Sequence, residues 1–314
     1  MTTSDFLIEP RTLVLPWADG IRPLGVIDLD VAGDDVAPIV HPPFPLIGVG
    51  DSSHPLAAQL DAIVEPPVAS AALIENVCGQ PEAALVVVQL LRLIEQLDPA
   101  QALVAESMAY GLLQSGRGHA GWMASCSAEP MPPGKLLVTR NEDVLDIGIE
   151  RPDANNAIDC ELRDALREAF ELAVLDPGIG RIVLRGVGKV FSVGADLAEF
   201  GTTRDPVAAH VIRTHTLPAH AIVRCAEKLE VHVQGGCVGS ALEMAAFARR
   251  ITASSHAWFH LPELAMGVLP GAGGCVSVSR RIGRQRAALM ILSGRRISAD
   301  TALDWGLIDA IVGD

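Results

Sequence analysis

The 314-residue chain has a formal net charge of −14 and is 49% hydrophobic but only 4% aromatic. So acidic a balance excludes a general nucleic-acid binder or a polybasic membrane-surface protein, while leaving a local anion site open. The length allows one large or two modest domains, with a core built mainly from aliphatic side chains and alanine.

In chain order, residues 1–55 are rich in proline and glycine. The opening MTTSDFLIEPRT lacks a basic region followed by an apolar stretch, so no signal peptide is expected. Short β-like runs occur at Leu13–Leu15 and Leu24–Leu29, whereas His41-Pro42-Pro43-Phe44-Pro45 suits no regular element. Pro55 to Val64 reads as helical. A stronger helix starts at Pro81, a residue suited to the first helical position, and runs to Leu97. It is apolar on nearly every face, which places it in a core or at a subunit interface. Asp98-Pro99 opens another helix to about Leu113, which Gly116 and Gly118 end. Ser127 to Gly134, with three prolines, is the best linker and divides the chain into residues 1–130 and 131–314.

Beyond the linker, Leu136–Thr139 and Val144–Ile149 alternate like a hairpin around Arg140-Asn141-Glu142. Cys160–Val174 is an amphipathic helix and Arg181–Arg185 a buried strand. A strand at Leu229–Val233 leads through a glycine-rich turn into a helix from about Ser240 to Arg250, and a further strand spans Ile251–Ala253. Repeated strand–turn–helix units indicate an α/β chain. No run of about 18 apolar residues occurs, so no membrane span is expected.

Three segments carry the chemistry. In the first, Val231 to Met244, a strand passes through small residues directly into a helix whose unpaired N–H groups favour developing negative charge, as on a thioester oxygen becoming an enolate. Glu243 is the only acidic or basic side chain between His232 and Arg249 apart from the Cys237 thiol, and a carboxylate there is costly unless partnered. The residues alone leave it open whether Glu243 is catalytic or a buried glutamate satisfied by backbone donors. Gly236 and Gly239 match the end of a dinucleotide fingerprint, but Gln234 stands where its first glycine belongs, and no G-K-[ST] phosphate loop occurs.

The second segment, Phe259 to Gly274, is irregular backbone rich in proline and glycine, with Glu263 its only acid. Two acids sharing one pocket can separate into a protonated and an ionised form, as acid/base chemistry needs. A turn-stabilising glutamate is the competing reading. In the third, Gly188 to Phe200, Asp196 and Glu199 form a capping box and read as structural, leaving the small-residue turn Val193-Gly194-Ala195 with exposed N–H groups.

Together these segments closely resemble the enoyl-CoA hydratase/isomerase, or crotonase, superfamily. The likeness begins near Leu136 and includes Glu150 to Ile158, Phe191 to Glu199, Pro262-Glu263, Pro270 to Gly274, and Leu292 to Ile308. The resemblance implies a crotonase-like spiral of ββα repeats, here with an atypical amino-terminal region that is helical from about residue 55. It implies catalytic acids at Glu243 and Glu263 and oxyanion-hole N–H groups at Ala195 and Ser240. The CoA and substrate path would run along Ala154, Val193, Asp196, Leu197 and Gly239.

The expected activity is addition of water to an enoyl-CoA, or its removal, with acyl-CoA as substrate and no other cofactor. An isomerase, hydrolase or decarboxylase of the same superfamily, a non-catalytic acyl-CoA binder, and a nicotinamide dehydrogenase are the alternatives. A cytoplasmic trimer or dimer of trimers is expected, without nucleic-acid or membrane partners.

There are departures. Gly239-Ser240-Ala241 replaces the family's three glycines, Asp153 and Arg249 are unusual, and Trp258 and His260 add bulk beside the second acid. The chain stops at Asp314, where relatives continue into helices that cover the site. The stretch from Pro81 to Cys126, with Glu106 to Tyr110 and Gly118 to Trp122, is faintly similar to those helices, so the amino-terminal region is either their permuted replacement or an unrelated appendage. His210, His215 and His220 are spaced by five and cannot share one helical face, so no metal is expected. The six cysteines, far apart and without a Cys-x-x-Cys pair, read as reduced thiols.

Overall fold

The computed structural model describes residues 1–13, 22–33 and 38–313. Three short strands, β1 (Gly25–Asp28), β2 (Leu46–Val49) and β3 (Ala62–Ile63), form a parallel sheet in that order. Leu13 lies in no strand, and Val14 and Leu15 fall outside the described residues. The helix expected over Pro55–Val64 is instead a 3-10 turn, Pro55–Gln59, followed by β3. There the Asp61 and Val64 N–H groups donate to Leu46 and Gly48 carbonyls of β2, so sheet pairing overrides the local helical pattern.

Four helices follow: α1 (Ser70–Gly79), α2 (Pro81–Ile94), α3 (Pro99–Gln114) and α4 (Arg117–Ser125). The sequence pattern does not mark α1. Pro81 opens α2 as expected, though the helix ends three residues before Leu97. The Asp98 carboxylate caps α3 by accepting the Ala100 and Gln101 N–H groups. Gly116 follows α3 as expected, but Gly118 ends nothing: it lies inside α4. Residues 126–134 form no regular element.

The remaining chain alternates strands and helices: β4 (Lys135–Asn141), β5 (Val144–Glu150), α5 (Cys160–Leu175), β6 (Arg181–Gly186), α6 (Pro206–Thr216), α7 (Ala219–Cys225), β7 (Leu229–Val233), β8 (Gly236–Val238), α8 (Ser240–Ala245), β9 (Arg250–Ser254), β10 (Trp258–His260), α9 (Gly274–Ile282), α10 (Arg284–Ser293), β11 (Ile297–Ser298), α11 (Ala299–Asp304) and β12 (Ala310–Val312). The large sheet has the order β12-β9-β7-β6-β5-β4 and is parallel except for the β4–β5 hairpin. A second sheet, β11-β10-β8, lies beside it. Strands β7 and β9 belong to the large sheet and their successors β8 and β10 to the small one, so strand–strand units step along both sheets as a spiral. Helix α8 is shorter than expected, because Arg250 already pairs with Glu230 as the first residue of β9.

One apolar core runs through both halves of the chain. Val26, Ile47, Ala84, Val87 and Leu91 belong to the same cluster as Leu242, Val276 and Leu289. Helix α2 packs on α9 and α10, and α3 packs on α6, α7 and α9. A buried polar joint reinforces this packing: Asp61 accepts Arg92 Nε at 2.8 Å and the Leu46 N–H at 2.8 Å, and faces Arg284 Nη1 at 3.3 Å. Among the described residues no single helix is long and apolar enough to cross a membrane, and all six cysteines are free thiols.

Candidate active site

Two turns meet at the mouth of a cavity. In the first, β8 passes through Gly239 into α8. Gly239 has φ 49° and ψ −129°, a conformation that disfavours L side chains, and a Cβ there would stand 2.8 Å from Glu263 Oε1. In the second, Ser192 Oγ accepts the Gly194 N–H at 3.1 Å and donates to Asn156 O at 2.7 Å. The Val238 N–H donates to Ser192 O at 3.0 Å, tying one turn to the other. Among the described residues, neither the Ala195 nor the Ser240 N–H donates a backbone hydrogen bond. Ser240 Oγ is also buried without a partner.

Glu243, three residues into α8, is only 2% exposed. Its Oε2 accepts the Ala272 N–H at 2.6 Å and the Gly274 N–H at 2.8 Å. Burial pushes its carboxyl up to about 7, and these two donors hold it from rising further. Glu263, in the 3-10 turn after β10, is 8% exposed, and its Oε2 has no hydrogen-bond partner. Burial first, then the neighbouring Glu243 charge, drives its carboxyl well above the ordinary range.

A third buried acid comes from the amino-terminal helices. Glu106 of α3 accepts the Gly273 N–H at 2.7 Å on Oε1, and the Cys275 and Val276 N–H groups at 2.9 and 3.3 Å on Oε2. The turn leading into α9 thus gives its donors to two carboxylates: 272 and 274 to Glu243, 273, 275 and 276 to Glu106. Burial, and secondarily Glu243, also raises the Glu106 carboxyl well above its usual range. Tyr110, one helical turn further along α3, packs against Gly271 so closely that a Cβ there would meet its ring at 2.2 Å. His119 of α4 donates Nδ1–H to the Met266 carbonyl at 2.9 Å and stacks on Trp122.

The cavity measures about 270 Å³. Glu243, Glu263, Ala195, Ser240, Val193, Asp196, Leu197 and Gly239 all line it, joined by Tyr110, Gln114 and His119 from the amino-terminal helices. Ala154 does not. It ends a 3-10 turn whose next residue, Asn155, accepts the Val193 N–H at 3.2 Å, so it adjoins the second turn from outside. The expected capping box is only half formed: Asp196 accepts the Ala198 N–H, but Glu199 reaches across to the Cys160 N–H. Asp196 also accepts Arg151 Nη1 at 2.7 Å.

Trp258 and His260 do not crowd the second acid. Trp258 lies under Arg296 against Gly236, and His260 bonds the Gly294 carbonyl. His210 meets Ser107 Oγ, and among the described residues no group of three or more metal-ligating side chains converges.

The model of the enoyl-CoA hydratase/isomerase family matches residues 139–314, more than half of the chain, and the chain belongs to that family. It is 32% identical over 177 residues to the 2,3-dehydroadipyl-CoA hydratase of Escherichia coli K12, covering 56% of this chain and 69% of that protein. A probable enoyl-CoA hydratase (echA8) of Mycobacterium tuberculosis is 32% identical over 190 residues, covering 56% and 68%. Among solved structures, an enoyl-CoA hydratase from Thermoplasma volcanium superposes with a TM-score of 0.51 at 32% identity, covering 57% of this chain and 72% of the other. One from Bacillus anthracis gives 0.52 at 27% identity, covering 57% and 70%. The fold is therefore the crotonase spiral expected from the motifs.

Proposed function

We propose that this chain hydrates an α,β-unsaturated acyl-CoA, or catalyses the reverse dehydration, using Glu243 and Glu263. One observation carries the reading. The buried, unpartnered Oε2 of Glu263 shares a cavity with Glu243, whose carboxylate is fixed by two loop N–H groups. Glu243, titrating near 7, is the general base that takes a proton from water as the oxygen attacks Cβ. Glu263, held protonated by burial and by the neighbouring charge, delivers its proton to Cα. Proton exchange with solvent then restores both acids. The Ala195 and Ser240 N–H groups stabilise the thioester oxygen as it becomes an enolate, each worth about 3 kcal/mol. The hydratase names of the curated relatives support this reading.

The CoA portion would run along the backbone of Val193, Asp196 and Leu197 past the Ala154 turn, with no cofactor beyond the substrate's own CoA. Helices α2 to α4 would stand in for the carboxy-terminal helices of other family members. Supporting this, Glu106, Tyr110, Gln114 and His119 reach the cavity or the loop beneath it. A cytoplasmic trimer or dimer of trimers completes the reading. The test follows loss of enoyl-thioester absorbance with crotonyl-CoA. Glu243→Gln and Glu263→Gln should each lower kcat about 10²- to 10⁴-fold. Undiminished hydration with alanine at both positions would refute the assignment.

A further inference from the structure

Arg213 is a cation in the same cavity to which the reaction above gives no role. It lies on α6, half-buried, with its guanidinium 4.6 Å from the centre of the Tyr110 ring. Because Tyr110 abuts Gly271, Arg213 sits one aromatic ring beyond the loop that grips Glu243.

Its position is fixed by neutral groups only. Nε donates to Ser107 Oγ at 3.0 Å, Nη2 to Ser107 O at 3.1 Å, and Nη1 to Gln114 Oε1 at 3.1 Å. Gln114 is itself held, donating through Nε2 to Thr203 O at 2.9 Å. Among the described residues Arg213 has no carboxylate partner. Glu106 acts on it electrostatically, but both Glu106 oxygens are turned to the Gly273, Cys275 and Val276 N–H groups.

A guanidinium carries five N–H donors in a planar fork. Three are used here, leaving one on each terminal nitrogen. Two donors on adjacent nitrogens match a carboxylate, and a half-buried cation without a counter-ion gains most from an anionic ligand. The cavity wall nearby supplies Ala209, Ile212, Met266 and Val268, apolar surface suited to a short carbon chain.

We infer that the acyl group taken by this pocket ends in a carboxylate held by Arg213, making the substrate class a short ω-carboxy enoyl-CoA. This rests on the acyl-CoA reading of the site. Arginine rather than catalytic glutamate then sets acyl selectivity, because a neutral chain of equal length leaves the cation unpaired.

The test is isothermal titration calorimetry on the intact chain with saturated esters, which bind without turning over. Succinyl-, glutaryl- and adipyl-CoA are compared with butyryl-, valeryl- and hexanoyl-CoA, with free CoA as baseline. The wild type should bind one ω-carboxy ester about tenfold or more tighter than its neutral counterpart. Arg213→Gln should bring that ratio to about one or below, and Arg213→Lys should keep part of it, since lysine retains charge without the fork.

Equal or weaker binding of every ω-carboxy ester in the wild type overturns the inference, whatever the variants do. A preference unchanged in Arg213→Gln overturns it equally. Crotonyl-CoA hydration by the same wild-type sample judges the hydratase reading separately. A preference without hydration would leave the pocket assignment standing and remove the reaction, and hydration without preference would do the reverse.

Discussion

Replacing Glu106 with alanine tests whether the amino-terminal helices are part of the site. Three buried N–H groups lose their acceptor, two of them bonded at 2.7 and 2.9 Å and one at 3.3 Å. An orphaned buried donor costs about 1–3 kcal/mol. Relief of a carboxyl that burial already disfavours offsets part of this, leaving a net loss of about 3 kcal/mol. Glu106→Gln should fall between, because its amide keeps one acceptor oxygen and turns a donor toward other donors. The same turn presents the Ala272 and Gly274 N–H groups to Glu243, so kcat should also fall about tenfold, equivalent to about 1.4 kcal/mol. Urea unfolding and crotonyl-CoA hydration on one preparation measure both effects. A stability change under about 1 kcal/mol with unaltered kcat would refute the reasoning.

Other outcomes follow from the same geometry. The folded-state value of Glu243 is raised, so the folded chain binds more protons than the unfolded one between 4.5 and about 7. Wild-type stability relative to Glu243→Gln should therefore be greatest below 4.5 and fall by about 3 kcal/mol as pH rises through about 7, read from unfolding curves across that window. Gly239→Ala must adopt a positive φ and displace Glu263, and should cost about 2 kcal/mol in stability, with a marked loss of kcat. Asp61→Leu strips Arg92 of its carboxylate partner and leaves Arg284 only the partly exposed Glu95 at the joint between the two halves, and should cost about 3–5 kcal/mol by thermal or urea unfolding.

The crotonase-like core and its candidate site were legible because their motifs are local. A strand, small residues and an acid-bearing helix stand next to one another around Glu243, and Glu263 sits in a loop defined by its own prolines and glycines. The strands Leu229–Val233 and Val144–Glu150 follow from simple alternation and burial. What could not be read were features fixed by distant contacts. Residues Asp61 to Val64 look helical alone, yet the Asp61 and Val64 N–H groups donate to β2. Glu106 looks like an ordinary helical glutamate, and only the fold brings it to Gly273, 167 residues away along the chain. The faint family likeness of Glu106 to Tyr110 was the one signal pointing there. Trp258 and His260 looked like pocket residues because they neighbour Glu263 in sequence, but β10 pairs with β8 and turns both toward other partners.

The most direct test of the central claim is where solvent atoms enter the product. Incubated with crotonyl-CoA in ¹⁸O-labelled water, the wild type should give a hydroxyacyl-CoA carrying ¹⁸O at Cβ, and in deuterated water one deuterium at Cα. Glu243→Gln and Glu263→Gln should each suppress formation of that product. Double-bond migration or thioester cleavage with no ¹⁸O at Cβ would contradict the two-acid hydratase account.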